Sequence, residues 1–113
     1  MTYAWVQDVP IGVGVYDEIT AGLGDRPPEG LIVHVAQVMD DGHLRYLDVW
    51  ESEAACERFI EQRLHPVVGP VLARHQVQPD REPPKLAVHI ADVWVGTAAV
   101  ESRQSIRPQS ATR

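Results

Sequence analysis

Two neighbouring stretches of the chain, residues 31–38 and 44–50, have the alternating spacing of β-strands with apolar residues on both faces. An antiparallel strand with one face in water alternates between apolar and polar residues, and these two stretches do not. We therefore expect both faces of the sheet to be covered, one by the chain's own helices and the other by a second copy of the protein. The apolar residues expected on the face without helices are Val33, Val35, Leu47 and Val49.

The pattern of apolar residues predicts two further strands, at 3–9 and 86–95. It also predicts an amphipathic helix at 15–23, which ends at Gly24, and a second helix, which is capped by Ser52 and ends at His65-Pro66. A separate short helix is expected at 67–75. This order predicts an α+β fold, a ferredoxin-like βαββαβ arrangement whose four-stranded antiparallel sheet carries both helices on one face. We expect residues 1–96 to form this domain and residues 97–113, rich in Ser, Gln and Arg, to form a flexible C-terminal tail.

The turn between the two central strands decides which of their residues face each other. A three-residue turn at Asp40–Gly42, with Gly42 in the left-handed conformation, pairs residue 39 with residue 43. A two-residue turn at Asp41-Gly42 would shift the register, and the sequence favours the longer turn. The longer turn predicts three facing pairs on one side of the sheet: Ala36 with Tyr46, His34 with Asp48, and Ile32 with Trp50.

A histidine opposite an aspartate on the helix-covered face is the main candidate for chemistry. Asp48 can hold one imidazole nitrogen of His34 and leave the other as an acid, a base or a hydrogen-bond partner. The alternative is a buried pair that only satisfies itself, with Tyr46 as a further partner. Two other candidate residues have alternatives without a role in a site. Trp50 then only packs in the core, and Cys56 is a small buried apolar residue. His89 on the last strand joins the pocket or faces the partner sheet.

Composition and charge exclude several classes of function. The net charge of −6 and the single lysine argue against a nucleic-acid partner. One cysteine excludes an internal disulfide and fits a reducing cytoplasm, where we expect the protein. The sequence has neither a long apolar segment nor a signal-peptide pattern, so we expect no membrane partner. The histidines lack the close spacing of metal ligands, and no metal site is expected.

The stretch VWESEAACERFIEQRLHP, which follows a GLIVHVA strand and a DDG turn, resembles the antibiotic biosynthesis monooxygenase-like family of dimeric alpha-beta barrels. The resemblance covers residues 3–95 and is most specific at Trp50-Glu51-Ser52. It implies a homodimer with a pocket in each subunit between sheet and helices, which binds a small hydrophobic or aromatic molecule. Relatives include oxygenases without a cofactor, cyclases, and barrels that bind ligands without turnover. Haem-degrading relatives carry an asparagine on the first strand and a histidine on the second helix. This chain has no asparagine and has Ile60 at the position of that histidine, so haem degradation is not expected.

The resemblance and the residue pattern together predict a monooxygenase-type oxidation of a phenol or quinol that needs no bound metal or flavin. In this hypothesis His34, oriented by Asp48, removes a phenolic proton, and the anion reacts with dioxygen. Tyr46 bonds a substrate oxygen. The other predicted substrate-binding residues are Trp50 and Phe59 as stacking partners, Arg63 as a stabiliser of negative charge, Cys56 at a pocket position of the family, and His89. The alternatives are a cyclase or isomerase that uses the same base, and a dimer without catalytic activity.

Overall fold

The computed structural model describes residues 2–77 and 82–97, which form an antiparallel sheet of four strands with two helical stretches. The strands are β1 (Tyr3–Val9), β2 (Leu31–Val38), β3 (Leu44–Trp50) and β4 (Leu86–Val88). The helices are α1 (Val13–Leu23), α2 (Glu53–Phe59) and α3 (His65–Arg74). The strand order β2-β3-β1-β4 confirms the predicted α+β sheet and is compatible with a ferredoxin-like fold. The predicted tail at 97–113 lies outside the described residues, apart from Thr97.

The turn between β2 and β3 has the predicted three-residue form. The N–H of Met39 donates to the carbonyl of His43 at 2.8 Å, and the N–H of Gly42 donates to the carbonyl of Met39 at 2.9 Å. Gly42 has a φ of +93°, in the left-handed region that favours glycine. The turn therefore sets the register that places His34 opposite Asp48 and Ala36 opposite Tyr46.

The predicted pairing of Ile32 with Trp50 is wrong, because β2 contains an irregularity near its start. Leu31 lies opposite Trp50 and Val33 lies opposite Val49, so Ile32 is the extra residue of a bulge. Leu31 consequently borders the space under the helices, and the side chain of Ile32 is 37% exposed. The shift is confined to the beginning of the strand and does not reach His34.

The second helical stretch begins as predicted and continues farther than predicted. Ser52 caps α2 by accepting a hydrogen bond from the N–H of Ala55 at 3.1 Å. The predicted end at His65-Pro66 is wrong, because a π-helical segment (Ile60–Leu64) joins α2 directly to α3. In this segment the N–H of His65 donates to the carbonyl of Ile60, five residues earlier. Pro66, which has no N–H to donate, directly follows this π-helical segment as the second residue of α3.

The last strand is shorter than the predicted range of 86–95. β4 pairs with β1 only from Leu86, opposite Val6, to Val88, opposite Ala4. Because the two strands are antiparallel and β1 begins at Tyr3, little of β1 remains to pair with residues that follow Val88. Residues 89–97 are described but form no strand.

The core lies where α2 packs on the sheet, and the opposite face is less open than predicted. Trp5, Trp50, Ala55 and Cys56 form a buried cluster, each 5% exposed or less. On the face without helices Val35 is 46% exposed, as expected for an uncovered position. Val49 on the same face is only 2% exposed, so the prediction that it is uncovered in the protomer is wrong. None of the helices in residues 2–77 and 82–97 has the length and apolar character needed to cross a membrane.

Gly30 connects the start of β2 to the end of β3, and we predict that it cannot be replaced by alanine without loss of stability. Its carbonyl accepts the N–H of Glu51 at 2.8 Å, its φ is +89°, and an added Cβ would lie 2.6 Å from the Cβ of Ala55. Backbone strain and overpacking together should lower the free energy of unfolding of Gly30→Ala by about 2 kcal/mol or more. Urea denaturation measures this change.

The matched control for this prediction is Gly69→Ala in α3, where an added Cβ meets nothing within 4 Å. Alanine is the better helix former, so this variant should be more stable than the original chain by about 0.5–1 kcal/mol. Equal effects of the two substitutions would contradict the role assigned to Gly30.

Candidate functional site

The sheet and the helices enclose a mostly apolar cavity of about 360 Å³. Residues of β1, β2 and β3 form its floor, and α1, the π-helical segment and α3 form the opposite wall. The segment 82–85, which leads into β4, borders it as well. Pockets for small organic molecules typically have volumes of about 300–1,000 Å³, so this cavity is large enough for one. The polar residues that border it include Tyr16, His34, Tyr46, Asp48, Glu82 and Lys85.

His34 and Asp48 form a hydrogen-bonded pair in the floor of the cavity, on the face that the hairpin register predicts. Nδ1 of His34 lies 2.6 Å from Oδ1 of Asp48, and the two residues are directly opposed on β2 and β3. Asp48 is only 5% exposed. A carboxylate removed from water in this way needs hydrogen-bond donors, and His34 supplies one.

Trp50 supplies the second donor to the same carboxylate. Its indole N–H donates to Oδ2 of Asp48 at 2.9 Å, and the two side chains share a face because they are two residues apart on one strand. A carboxylate oxygen only accepts hydrogen bonds, so Nδ1 of His34 carries the proton that Oδ1 receives. The neutral ring then has its lone pair on Nε2, and this atom can act as a base.

The hydroxyl of Tyr16 contacts Nε2 of His34, and Tyr16 is a residue that was not predicted from the sequence. Its hydroxyl oxygen lies 3.0 Å from Nε2 of His34, and with the lone pair on Nε2 the hydroxyl donates. The sequence analysis assigned the apolar stripe of the helix to Val15, Ile19 and Leu23. Tyr16, Ile19 and Leu23 also follow helical spacing, and all three border the cavity, whereas Val15 does not. That spacing is the signal by which Tyr16 could have been found.

Tyr46 lies beside this chain of hydrogen bonds as a neutral phenol. Its ring centroid is 5.1 Å from that of His34 and 5.9 Å from that of Tyr16. Burial raises the pKa of Tyr46 well above its ordinary value, and the neighbouring Tyr16 and Asp48 raise it further. Within the part of the chain that the structure describes, its hydroxyl makes no hydrogen bond. The hydroxyl can therefore donate to an oxygen atom in the cavity.

Phe59 and Trp50, both predicted to stack on a substrate, have different positions. Phe59 borders the cavity, whereas Trp50 does not. Trp50 packs behind Phe59, with 5.6 Å between the ring centroids and only 1% of the side chain exposed. The structure thus makes Phe59 available to a ligand, and Trp50 contacts the site through Asp48.

Arg63 does not border the cavity in which it was expected to stabilise negative charge. Its guanidinium donates to the carbonyl of Arg26 at 2.9 Å and to that of Leu23 at 3.3 Å. It also lies over the ring of Phe59, 5.3 Å from the ring centroid. The two hydrogen bonds connect the end of α1 and the following loop to the π-helical segment. The contact with the aromatic ring gives Arg63 a role in positioning Phe59.

Cys56 and His89 also lie away from the cavity. Cys56 is 1% exposed in the core cluster with Trp5 and Trp50, and burial raises the pKa of its thiol. It therefore remains a neutral, apolar side chain there. His89 follows the last residue of β4 and is exposed, and it is not among the residues that border the cavity.

Two other histidines contact carboxylates at the surface. His43 bonds Asp41 in the hairpin turn, and His75 at the end of α3 bonds Glu18 of α1. No group of three or more His, Cys, Asp or Glu side chains in the described ranges, 2–77 and 82–97, is placed to hold a metal ion.

Comparison with known proteins adds no family assignment. A scan against protein-family models, a search of curated proteins and a search of solved structures each found no match. The case for function therefore depends on the cavity and on the side chains that border it.

The raised pKa of Tyr46 predicts a loss of stability at alkaline pH. In the folded chain Tyr46 keeps its proton above the ordinary tyrosine value of about 10, whereas in the unfolded chain it loses it. The unfolded state then binds fewer protons, so the free energy of unfolding falls as pH rises above about 10. Denaturation at a series of pH values should show a shallower decline for Tyr46→Phe. An unchanged decline in this variant would contradict the assignment.

Proposed function

We propose that this chain binds a small, flat, largely apolar phenol or quinol in the cavity and oxidises it with dioxygen, without a bound metal or flavin. The observation that carries the proposal is the chain of hydrogen bonds from Tyr16 through His34 and Asp48 to Trp50, which ends at an apolar cavity. The proposal agrees with the resemblance to the antibiotic biosynthesis monooxygenase-like family.

The first step of the proposed reaction is removal of the phenolic proton. Because the hydroxyl of Tyr16 occupies Nε2 of His34, we assign Tyr16 as the relay: it gives its proton to His34 as it takes the proton of the substrate. Asp48 stabilises the imidazolium that forms, and Trp50 keeps the carboxylate oriented toward the ring. This attraction is stronger than it would be in water, because Asp48 is buried.

The second step is reaction of the electron-rich anion with dioxygen. The substrates are compounds whose keto tautomer has two hydrogens on one ring carbon. Dioxygen adds to that carbon to form a hydroperoxide, and the hydroperoxide then loses water. The carbon loses two hydrogens and gains one oxygen atom, and the other oxygen atom leaves as water with those two hydrogens. All four electrons that reduce dioxygen come from the substrate, so the reaction requires no external reductant.

Two further residues contribute to binding of the substrate in this proposal. Tyr46, held neutral by burial, donates a hydrogen bond to the substrate oxygen that becomes negatively charged. Phe59, whose ring also contacts the guanidinium of Arg63, offers this ring to the flat face of the substrate.

Replacement of His34 tests the proposed chemistry. Oxygen consumption is measured with a panel of quinols and phenols of increasing ring number, each corrected for autoxidation without protein. Loss of a positioned base lowers rates by about 10²–10⁴-fold, so His34→Ala should lose activity to that extent. If Tyr16 relays the proton, Tyr16→Phe should lose a comparable amount, while retained activity would show that His34 acts directly.

The matched control is His75→Ala, which removes an exposed histidine at the end of α3 and should leave the rate unchanged. Binding of the same compounds is measured in parallel by calorimetry. Binding without oxygen consumption, unaffected by His34→Ala, would contradict the oxygenase proposal and favour a binding protein.

We also propose that the protein is a homodimer in which the sheet faces without helices pack against each other. Val35 on β2 and Leu86 on β4 lie on that face and are 46% and 62% exposed in the single chain. A second copy would bury them and would account for apolar residues on both sides of β2 and β3.

Light scattering coupled to gel filtration tests the dimer. We expect a dimer at micromolar concentration and a dissociation constant at least about tenfold higher in Val35→Glu, because the substitution buries an unpaired carboxylate. Val38→Glu is the control: Val38 is also exposed, at 52%, but lies on the helix-covered side of the sheet, opposite Leu44. A monomeric original chain, or equal effects of the two variants, would contradict the proposed interface.

A further inference from the structure

The cavity has a second polar end, formed by the segment that leads into β4. Glu82, Pro83 and Lys85 all border the cavity. The side-chain amide of Gln7, which is 7% exposed on β1, donates to the carbonyl of Pro83 at 2.8 Å. A buried amide that holds a loop carbonyl in this way fixes the segment against the sheet. Lys85, two residues later, is therefore held at a defined place.

Lys85 is the only lysine of the chain, and it lies along the cavity wall. Its ammonium is 5.4 Å from the centroid of the Trp5 ring, and its side chain is 24% exposed. Among the described residues that border the cavity, it is the only side chain with a permanent positive charge. Within residues 2–77 and 82–97, the ammonium forms an ion pair only with the carboxylate of Glu82, at 2.7 Å.

Glu82 is a weak competitor for this ammonium. Its side chain is 52% exposed, and ion pairs at that exposure contribute little, about 0–1 kcal/mol. The carboxylate of Glu82 also lies 3.9 Å from Nε2 of His65, which is a second contact for Glu82 when it leaves Lys85. An anionic group in the cavity can thus replace Glu82 at Lys85 at small cost.

We propose that Lys85 binds an anionic group, a carboxylate, at the end of the ligand opposite to its phenol. This inference rests on the proposed function, because it concerns the ligand of the same cavity. His34 on β2 and Lys85 beside β4 are separated by three strand spacings, roughly 14 Å at about 4.8 Å each, before their side chains reach inward. The ligand class is therefore an elongated aromatic acid with a hydroxyl at one end and a carboxylate at the other.

A matched pair of rigid probes tests this inference: para-hydroxybiphenyl carboxylic acid and its carboxamide, which have the same shape and the same phenol. Binding is measured by calorimetry. Lys85→Met keeps the apolar stem over Trp5 and removes the charge, so it should weaken binding of the acid by roughly tenfold and leave binding of the carboxamide unchanged. Glu82→Gln removes the competing carboxylate and should strengthen binding of the acid.

Arg58→Met is the control for net charge. It removes one positive charge from an exposed side chain of α2 that lies 3.9 Å from Glu29 and does not border the cavity, so it should not affect either probe. If both probes bind equally and Lys85→Met changes neither, the inference is wrong and the ligand-binding proposal stands. If neither probe binds, both the inference and the proposed ligand class are wrong.

Discussion

The structure of the site depends on one buried carboxylate. Asp48 is removed from water between the sheet and the helices, and its two oxygens accept hydrogen bonds from His34 and Trp50. A buried carboxylate without such donors would be costly, by several kcal/mol. The requirement for donors therefore determines which nitrogen of His34 carries a proton, and through it the direction of the hydrogen bond from Tyr16.

The same constraint connects the fold to the proposed chemistry. The hairpin turn at Gly42 sets the register that opposes His34 to Asp48, and the cap of Ser52 starts α2 immediately after Trp50. These features place a base and its orienting carboxylate in the floor of a cavity whose walls are mostly apolar. Apolar surroundings disfavour a free phenolate, so ionisation of the substrate there depends on His34 as the base, on Asp48 to stabilise the imidazolium, and on a hydrogen bond from Tyr46 to the phenolate oxygen.

The sequence predicted those parts of the fold that local residue chemistry determines. The turn followed from Asp40–Gly42, the cap from Ser52 and the end of α1 from Gly24, because each is decided by residues within one or two turns. The bulge at Ile32 could not be predicted in this way. It occurs beside Gly30, whose close approach to Ala55 of α2 is a contact between residues 25 positions apart. The π-helical segment was missed because Pro66 by itself indicates a helix end.

The candidate site was predicted in part for the same reason. His34, Asp48 and Tyr46 share one hairpin, so their proximity followed from its register. Tyr16 was missed because its contact with His34 depends on how α1 packs over the sheet, and Lys85 was missed because a loop before β4 brings it to the cavity. Periodicity within α1 places Tyr16 on the face of Ile19 and Leu23, but it does not show that Tyr16 reaches His34, and it gives no information on Lys85.

The protonation of His34 is the most direct test of the account. Two-dimensional ¹⁵N–¹H NMR of the chain labelled with ¹⁵N-histidine, recorded at mildly alkaline pH, distinguishes the two ring nitrogens. We predict that Nδ1 carries a proton and donates it to Asp48, and that Nε2 is unprotonated and accepts a hydrogen bond from Tyr16. The Asp48→Ala variant should lose this pattern. A proton on Nε2 and none on Nδ1 would contradict the account, since no base would then face the cavity.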